Sequence, residues 1–147
     1  MNCTIRKATT ADLPAMYDLV LELAIYEKEP DAVTATLDDY EKNFAANVFD
    51  AIVADEAGSV IGTCIYYITW STWKGRMVYL EDFVVKESRR GEGIGQLLFE
   101  NFLEQARLMD AVMVKWQVLD WNEPAIKFYE KNGAMIERGW WNVKKFF

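Results

Sequence analysis

The sequence predicts an α+β fold in which helices flank a mixed, mostly antiparallel central sheet that contains one βαβ unit. Three observations lead to this class: two β-rich runs joined by a glycine-bearing turn, an amphipathic helix after a later β-rich run, and an apolar run behind that helix. A crossover helix would return the last run parallel to the strand before it. The chain has 147 residues, 52% of them hydrophobic, which predicts a single domain over residues 1–147.

The amino-terminal elements follow from cap and periodicity signals. A short strand is predicted at residues 3–7, before the cap residues and early proline of Thr9-Thr-Ala-Asp-Leu-Pro14, which predict the start of a helix. Apolar side chains at three-and-four spacing continue to Ala24, so this helix should bury one face. A second helix is expected at residues 37–46.

The middle of the chain predicts an antiparallel meander. Residues 51–54 and 60–70 are β-rich and flank a turn that contains Gly58, which is typical of a hairpin. The β-rich run at residues 77–85 follows a second break and extends the meander by one strand.

The last part of the chain predicts the βαβ unit and the closing elements. A glycine-rich turn opens a helix with an apolar stripe from Ile94 to Met109, and residues 111–119 form the expected parallel return strand. Asn122-Glu-Pro124 predicts one more helix, which Gly133 should end. Two closing strands are expected at residues 134–138 and 140–146.

The composition excludes several classes of function. Histidine is absent, which removes Ser-His-Asp and Cys-His catalysis and every histidine-containing metal site, so no metal is expected and a carboxylate is the expected base. The net charge of −7 argues against nucleic-acid binding, and the ten acidic residues from Glu22 to Glu56 favour a cationic partner. Solvated helix and loop faces are the alternative explanation of most of these acidic residues.

The two cysteines and the lack of long apolar segments suggest a cytoplasmic protein. Cys3 and Cys64 have no CxxC spacing and lie in strand-like runs, so free thiols in a reducing compartment are expected. The first residues lack the apolar run of a signal peptide, and no stretch approaches the ~20 apolar residues that cross a bilayer. We therefore expect no association with a membrane.

Three glycines lie in the turn between the strand at residues 77–85 and the following helix. Gly91, Gly93 and Gly95 permit positive φ and a close approach to the main chain, and the amides at a helix start can hold a pyrophosphate. The spacing matches neither a GxGxxG fingerprint nor a Walker loop. A tight turn without a ligand remains the alternative from this turn alone.

These residues carry a resemblance to a known family. Arg90-x-x-Gly93-x-Gly95 resembles the acyl-CoA loop of the GNAT superfamily of acetyl-CoA-dependent N-acetyltransferases. Further short motifs, in the same order along nearly the whole chain, resemble the diamine/thialysine (spermidine/spermine-type) branch: Leu23-Ala24-x-Tyr26-Glu27, Ser71-Thr-Trp-Lys-Gly75, Tyr79-Leu-Glu-Asp-Phe83, Leu119-Asp-Trp-Asn122 and Phe128-Tyr129.

The resemblance implies a sheet splayed at its centre, with acetyl-CoA as co-substrate between the strands at residues 77–85 and 111–119. The cofactor contacts that it implies are Phe83, Val84, Val85, Arg89, Arg90, Gly91, Glu92, Gly93, Ile94, Gly95 and Asn122. A solvated arginine pair is the alternative for Arg89 and Arg90, which could otherwise contact the 3′-phosphate. For Asn122, a helix cap is the alternative and is compatible with a cofactor contact.

The resemblance also implies catalytic and amine-binding residues. Glu81 matches the family's proposed base, which acts through water; a carboxylate paired with Lys or Arg is the alternative. Tyr129 matches the general acid that protonates the CoA thiolate; an aromatic residue packed in the core is the alternative. Because neighbouring strand residues alternate, Glu81 and Asp82 are expected to face opposite sides of the sheet. The implied amine-site residues, each with a core, surface or ion-paired alternative, are Tyr26, Glu27, Ser71, Trp73 and Asp82.

The predicted activity is direct transfer of acetyl from acetyl-CoA to a primary amine in a ternary complex. The substrate would be a small cationic amine, thialysine or lysine-like or a polyamine, and Ser71 resembles the thialysine-preferring members. Family members are commonly homodimers, and the aromatic segment at residues 139–147 favours a dimer here. The alternatives are a non-catalytic acyl-CoA-binding module and a protein-lysine acetyltransferase.

Overall fold

The computed structural model describes residues 2–147, which divide into two compact units, one up to Trp116 and one from Gln117 to Phe147. The first unit contains five strands and three helices: β1 (Thr4–Lys7), α1 (Leu13–Tyr26), α2 (Leu37–Ala45), β2 (Asp50–Glu56), β3 (Ser59–Ser71), β4 (Gly75–Val85), α3 (Ile94–Leu108) and β5 (Met113–Lys115). The second unit contains α4 (Glu123–Lys131). That residues 1–147 form a single domain remains a prediction.

The five strands form one sheet in the order β1-β2-β3-β4-β5. Strands β1 to β4 pair antiparallel in succession, and β5 runs parallel to β4. The helix α3 lies between β4 and β5 in the chain, so these three elements are the predicted βαβ unit. The α+β class, the mostly antiparallel sheet and the parallel return strand are thus confirmed.

The helices of the first unit pack on both faces of the sheet. On one face, α1 and strands β2 and β3 bury a cluster of apolar side chains, and side chains of α2 pack against it; the buried members are Ala8, Leu13, Met16, Val20, Ala51, Val53 and Ile65. On the other face, α3 approaches β3 so closely that a Cβ on Gly62 would lie 2.8 Å from Leu98 Cδ1. A larger residue at position 62 would displace the Leu98 side chain and crowd the Val84 carbonyl, 3.2 Å from the added Cβ, so glycine allows this close packing.

The strand predicted at residues 111–119 is much shorter than expected. The turn after α3 extends through Asp110, which has φ of 59°, and the Ala111 amide still donates to the Ala106 carbonyl. The strand can begin only after this turn, and its ladder with β4 ends at Lys115, opposite Tyr79. The predicted strand at residues 111–119 was therefore wrong at both ends: its first residues belong to the turn after α3, and its last residues have no partner in β4.

The closing strands predicted at residues 134–138 and 140–146 do not form. The side chains of Trp141 and Val143 are 91% and 94% exposed, so the segment packs against no hydrophobic face. A lone extended segment is not stable without a neighbouring backbone to pair with, whatever its strand propensity. The Gln117 side chain contacts this segment by donating to Asn142 Oδ1 at 2.6 Å.

Within residues 2–147, no helix combines the length and the hydropathy needed to cross a lipid bilayer.

Candidate active site

The strand β4 contains a β-bulge at Glu81. Ile65 of β3 lies opposite Asp82, whereas the next residue of β3, Tyr66, lies opposite Leu80. Glu81 is therefore the extra residue of the bulge and has no partner across the ladder.

The bulge brings Glu81 and Asp82 to the same face of the sheet. Asp82 is opposite Ile65, whose side chain packs on the α1 face. Glu81 accepts a hydrogen bond of 2.7 Å from the hydroxyl of Tyr67, which shares that face because it lies two residues after Ile65. The prediction that the two carboxylates face opposite sides was wrong, because alternation is interrupted by the extra residue.

A third carboxylate lies near this pair. Glu27 is the cap residue at the end of α1, and burial raises the pKa of its carboxyl. The pKa of Asp82 is raised to about 7, first by burial and then by the charges of Glu81 and Glu27. These three residues, Glu27, Glu81 and Asp82, are called the acidic cluster below. Such a cluster attracts cations, and at neutral pH one member is poised to exchange a proton.

Tyrosines surround the acidic cluster. The ring of Tyr67 is stacked on that of Tyr79, its partner across the ladder, with centroids 5.6 Å apart and planes 25° apart. Tyr40 of α2 faces the same carboxylates, and burial followed by the charge of Asp82 raises the pKa of its hydroxyl. The cluster thus lies among rings that can contact the aliphatic part of an amine.

The pairing of β4 with β5 ends beside this site. The parallel ladder between β4 and β5 covers only Met77–Tyr79 and ends opposite Lys115, while β4 continues to Val85. That the two segments splay apart beyond this point, as the resemblance implies, remains a prediction. The predicted cofactor-binding segment of Phe83, Val84 and Val85 lies beyond the end of this ladder.

The glycine loop has the backbone geometry that was predicted for it. Gly91 and Gly93 have φ of 78° and 85°, which side chains rarely adopt, and Gly93 is the N-cap of α3. The first amides of α3, including those of Ile94 and Gly95, have no carbonyl partner inside the helix. A pyrophosphate is the kind of group that such amides bind.

The two arginines of this loop make different contacts. Arg89 is ion-paired with Glu56 at the end of β2 and, at 3.0 Å, with Glu92. Arg90 donates from Nε to the Val85 carbonyl at 3.2 Å. Its guanidinium carbon lies 4.9 Å from the centroid of the Tyr26 ring. Tyr26, expected at the amine site, therefore contacts the cofactor loop.

The remaining amine-site candidates of the first unit lie at the turn between β3 and β4. Ser71 Oγ accepts hydrogen bonds from the amides of Trp73 and Lys74, at 3.2 and 3.0 Å, so Ser71 fixes the shape of this turn. The Trp73 side chain is 83% exposed. The structure does not place either residue in contact with the acidic cluster, and their roles remain predictions.

The two candidates of the second unit belong to α4. Asn122 is its N-cap, with Oδ1 accepting from the Ala125 amide at 3.4 Å, so the cap alternative is confirmed and the cofactor contact remains a prediction. Tyr129 is 9% exposed, and its ring centroid lies 5.8 Å from that of Phe128. Its role as general acid also remains a prediction.

Tyr67 was not identified from the sequence. It follows Tyr66 in a β-rich run, and alternation alone could have placed one of the two tyrosines on each face. The contact with Glu81 depends on the register and on the bulge, for which the sequence carries no local signal.

The mostly antiparallel sheet with its βαβ unit, the crossover helix with its glycine cap and the acidic cluster together define an acyltransferase that takes its acyl group from coenzyme A. The family model described as "Acetyltransferase (GNAT) family" matches residues 13–134, and the chain therefore belongs to the GNAT family. It is an acetyl-CoA-dependent amine N-acetyltransferase, as the resemblance of its motifs predicts.

Curated relatives identify the branch. A thialysine N-epsilon-acetyltransferase of Bos taurus is 32% identical over 97% of this chain and 91% of its own. The spermidine/spermine N(1)-acetyltransferase-like protein 1 of Homo sapiens is 31% identical over 92% of this chain, which corresponds to 21% of that protein. An aminoglycoside acetyltransferase from an uncultured soil metagenomic sample matches the fold with a TM-score of 0.82, at 18% identity, over 99% of this chain and 97% of that one.

The residues of the first unit fit acetyl-CoA as co-substrate. When bound, acetyl-CoA supplies the acetyl group as a thioester. The left-handed conformation at Gly93 turns the chain into α3 without a side chain at the cap, which leaves the first amides accessible to a diphosphate.

Among residues 2–147, no group of three His, Cys, Asp or Glu side chains has the arrangement of a metal site.

Proposed function

We propose that this chain acetylates the primary amine of a small dication or amino acid, with thialysine or lysine preferred over spermidine. The observation that carries the proposal is the acidic cluster, in which three carboxylates from α1 and β4 are held on one face of the sheet. Carboxylates in this arrangement favour a ligand that carries ammonium groups. The thialysine N-epsilon-acetyltransferases among the relatives support the preferred substrate.

The proposed roles of the three carboxylates rest on their positions, and that of Tyr129 rests on the resemblance of Phe128-Tyr129 to the family motif. Asp82 and Glu27 bind the ammonium groups, and Glu81, the most exposed of the three carboxylates, accepts a proton from the attacking amine through water. Tyr129 donates a proton to the leaving thiolate. An alkylamine is mostly protonated at neutral pH, so the reaction needs such a proton acceptor before the nitrogen can attack.

The proposed cofactor site combines strand and loop. The main chain of Phe83, Val84 and Val85 binds the pantetheine arm, and the amides of the loop from Arg90 to Gly95 bind the pyrophosphate. Arg89 remains a candidate for the 3′-phosphate, and the resemblance adds Asn122 as a further proposed cofactor contact. The backbone conformation of the loop supports this assignment.

Substrate preference is proposed to depend on the turn between β3 and β4. Ser71 is neutral, so it adds no further negative charge for the long chain of a polyamine, and Trp73 offers an exposed ring to an ammonium group. A spermidine-preferring enzyme would gain affinity from an acidic residue at this position.

We further propose a cytoplasmic homodimer that binds neither nucleic acid nor a membrane. Cys64 is buried and Cys3 half-buried, both as free thiols, which suits a reducing compartment. The exposed rings of Trp140, Trp141 and Phe146 support a dimer that covers them. The net charge of −7 disfavours binding to duplex nucleic acid, which needs a basic surface.

Release of free CoA thiol from acetyl-CoA tests the proposal. Thialysine, lysine, putrescine, spermidine and short lysine peptides are compared as acceptors for the wild type, Glu81→Gln and Tyr129→Phe. We expect turnover on thialysine above spermidine, and a loss in kcat of about 100-fold or more in each variant. Glu41→Gln, which changes an exposed carboxylate of α2, serves as a matched control and should keep the wild-type rate.

Two results would contradict the proposal. Acetylation of lysine peptides without turnover of free amines would indicate a protein-lysine acetyltransferase. If Glu81→Gln and Tyr129→Phe both keep the wild-type rate, Glu81 is not the base and Tyr129 is not the acid.

A further inference from the structure

The carboxylate of Glu81 is held in place by a single side chain. Glu81 is exposed and is the extra residue of the bulge, so no residue of β3 lies directly opposite it to restrain its side chain. Among residues 2–147, its only side-chain hydrogen bond is the one of 2.7 Å that Oε2 accepts from the Tyr67 hydroxyl. Without that bond, an exposed glutamate would populate several rotamers.

Tyr67 is itself fixed by its neighbours. Its half-buried ring is stacked on Tyr79, with centroids 5.6 Å apart, and the two residues are direct partners between β3 and β4. Stacked cross-strand aromatic pairs stabilise both rings in one orientation. The hydroxyl is therefore presented to Glu81 from a rigid part of the sheet.

The Tyr67 hydroxyl also keeps its proton. Burial, followed by the hydrogen bond to Glu81, raises the pKa of Tyr67 well above its usual range. At neutral to mildly alkaline pH, where a fraction of the substrate amine is unprotonated, the Tyr67 hydroxyl therefore remains a hydrogen-bond donor. Glu81 is then the group that accepts the proton.

We propose that Tyr67 is a positioning residue for amine acetylation, which holds the Glu81 carboxylate in the orientation that accepts the proton of the attacking amine. This inference rests on the proposed role of Glu81. Tyr67 contributes through geometry alone, because the proton goes from the amine nitrogen to Glu81 and the phenol stays protonated throughout.

The matched control is Tyr66, the preceding residue of β3. Its buried ring faces α3, 5.4 Å from the ring of Phe102, and its hydroxyl contacts Lys7 rather than the acidic cluster. Tyr66→Phe and Tyr67→Phe each remove one hydroxyl from adjacent positions of the same strand. A general effect of losing a phenol on the sheet would therefore appear in both variants.

The experiment is a double-mutant cycle measured with saturating acetyl-CoA and varied thialysine. Wild type, Tyr67→Phe, Glu81→Gln, the double variant and Tyr66→Phe are compared for kcat, for KM of both substrates and for melting temperature. We expect Tyr67→Phe to lower kcat by roughly 10-fold, with KM for acetyl-CoA within about twofold of the wild type. In the Glu81→Gln background, removal of the hydroxyl should have no further effect on kcat.

The outcomes separate this inference from the proposed function. If Glu81→Gln is slow while Tyr67→Phe turns over at the wild-type rate, Tyr67 does not position Glu81 and the inference fails alone. If Tyr67→Phe lowers kcat by the same factor in the wild type and in Glu81→Gln, the inference is also overturned, because Tyr67 would then act independently of Glu81. If Glu81→Gln keeps the wild-type kcat, the proposed function of Glu81 fails and this inference with it.

Discussion

The guanidinium of Arg90 lies over the ring of Tyr26, 4.9 Å from its centroid, and so connects the glycine loop to the end of α1. The next residue of the chain, Glu27, belongs to the acidic cluster. A single contact therefore links the loop proposed to bind pyrophosphate with the carboxylates proposed to bind the amine. Replacement of Tyr26 should affect the cofactor as well as the acceptor.

Tyr26→Leu is expected to raise KM for acetyl-CoA by about 2- to 5-fold, because Arg90 loses the ring that fixes it. Tyr26→Phe keeps the ring and should leave this KM unchanged. Steady-state kinetics with each substrate varied in turn measures the effect. A rise confined to KM for the amine, with KM for acetyl-CoA unchanged in Tyr26→Leu, would show that the contact does not order the loop.

Asp82 should make stability depend on pH. The pKa of Asp82 is raised in the folded protein to about 7, so between about pH 4 and that value the folded state holds a proton that the unfolded chain has lost. The resulting contribution to stability is present below about pH 4 and disappears as the pH rises through about 7. Glu27, Tyr40, Tyr67, Tyr79 and Glu81 are the titratable groups near it.

Asp82→Asn removes this dependence. Between about pH 4 and about pH 8, the difference in free energy of unfolding between variant and wild type should shift by about 4 kcal/mol in favour of the variant, as measured by urea unfolding at both pH values. The same substitution should raise KM for the amine. Parallel stability profiles for variant and wild type would show that folding does not shift the pKa of Asp82.

Arg89 can support acetyl-CoA binding in two ways: by holding the glycine loop in shape or by contacting the 3′-phosphate. The two roles can be separated by experiment. The ion pairs with Glu56 and Glu92 favour a role in holding the loop. We expect Arg89→Ala to raise KM by about 3-fold for acetyl-CoA and equally for acetyl-dephospho-CoA, which lacks the 3′-phosphate. Glu56→Gln should reproduce the rise. An effect seen with acetyl-CoA alone would instead assign Arg89 to the phosphate.

The glycine loop and the βαβ unit could be predicted from the sequence because their signals are local. Gly93 has the left-handed conformation that only glycine adopts without strain, and the helix expected after it begins at Ile94. The parallel direction of β5 followed from the handedness and length of the crossover rather than from any property of its own three residues.

The common face of Glu81 and Asp82 could not be predicted, because a bulge is a property of two strands and their register. Alternation along β4 describes the strand only up to Leu80. Tyr67 was missed for the same reason, since its contact crosses the ladder at the bulge. The closing segment shows the opposite error: Trp140 and Val143 have strand propensity, but propensity does not supply the partner that a strand needs.

The left-handed conformation at Gly93 provides a test of the cofactor loop, with Gly58 as a matched control. Both glycines have φ near +85°, and Gly58 lies in the turn between β2 and β3, where an added Cβ would contact nothing within 4 Å. Alanine at either position should reduce the free energy of unfolding by about 1 to 2 kcal/mol through backbone strain. Only Gly93→Ala should also raise KM for acetyl-CoA, by roughly 10-fold, because it moves the first amides of α3. Equal KM values for the two variants would mean that the start of α3 does not bind the cofactor.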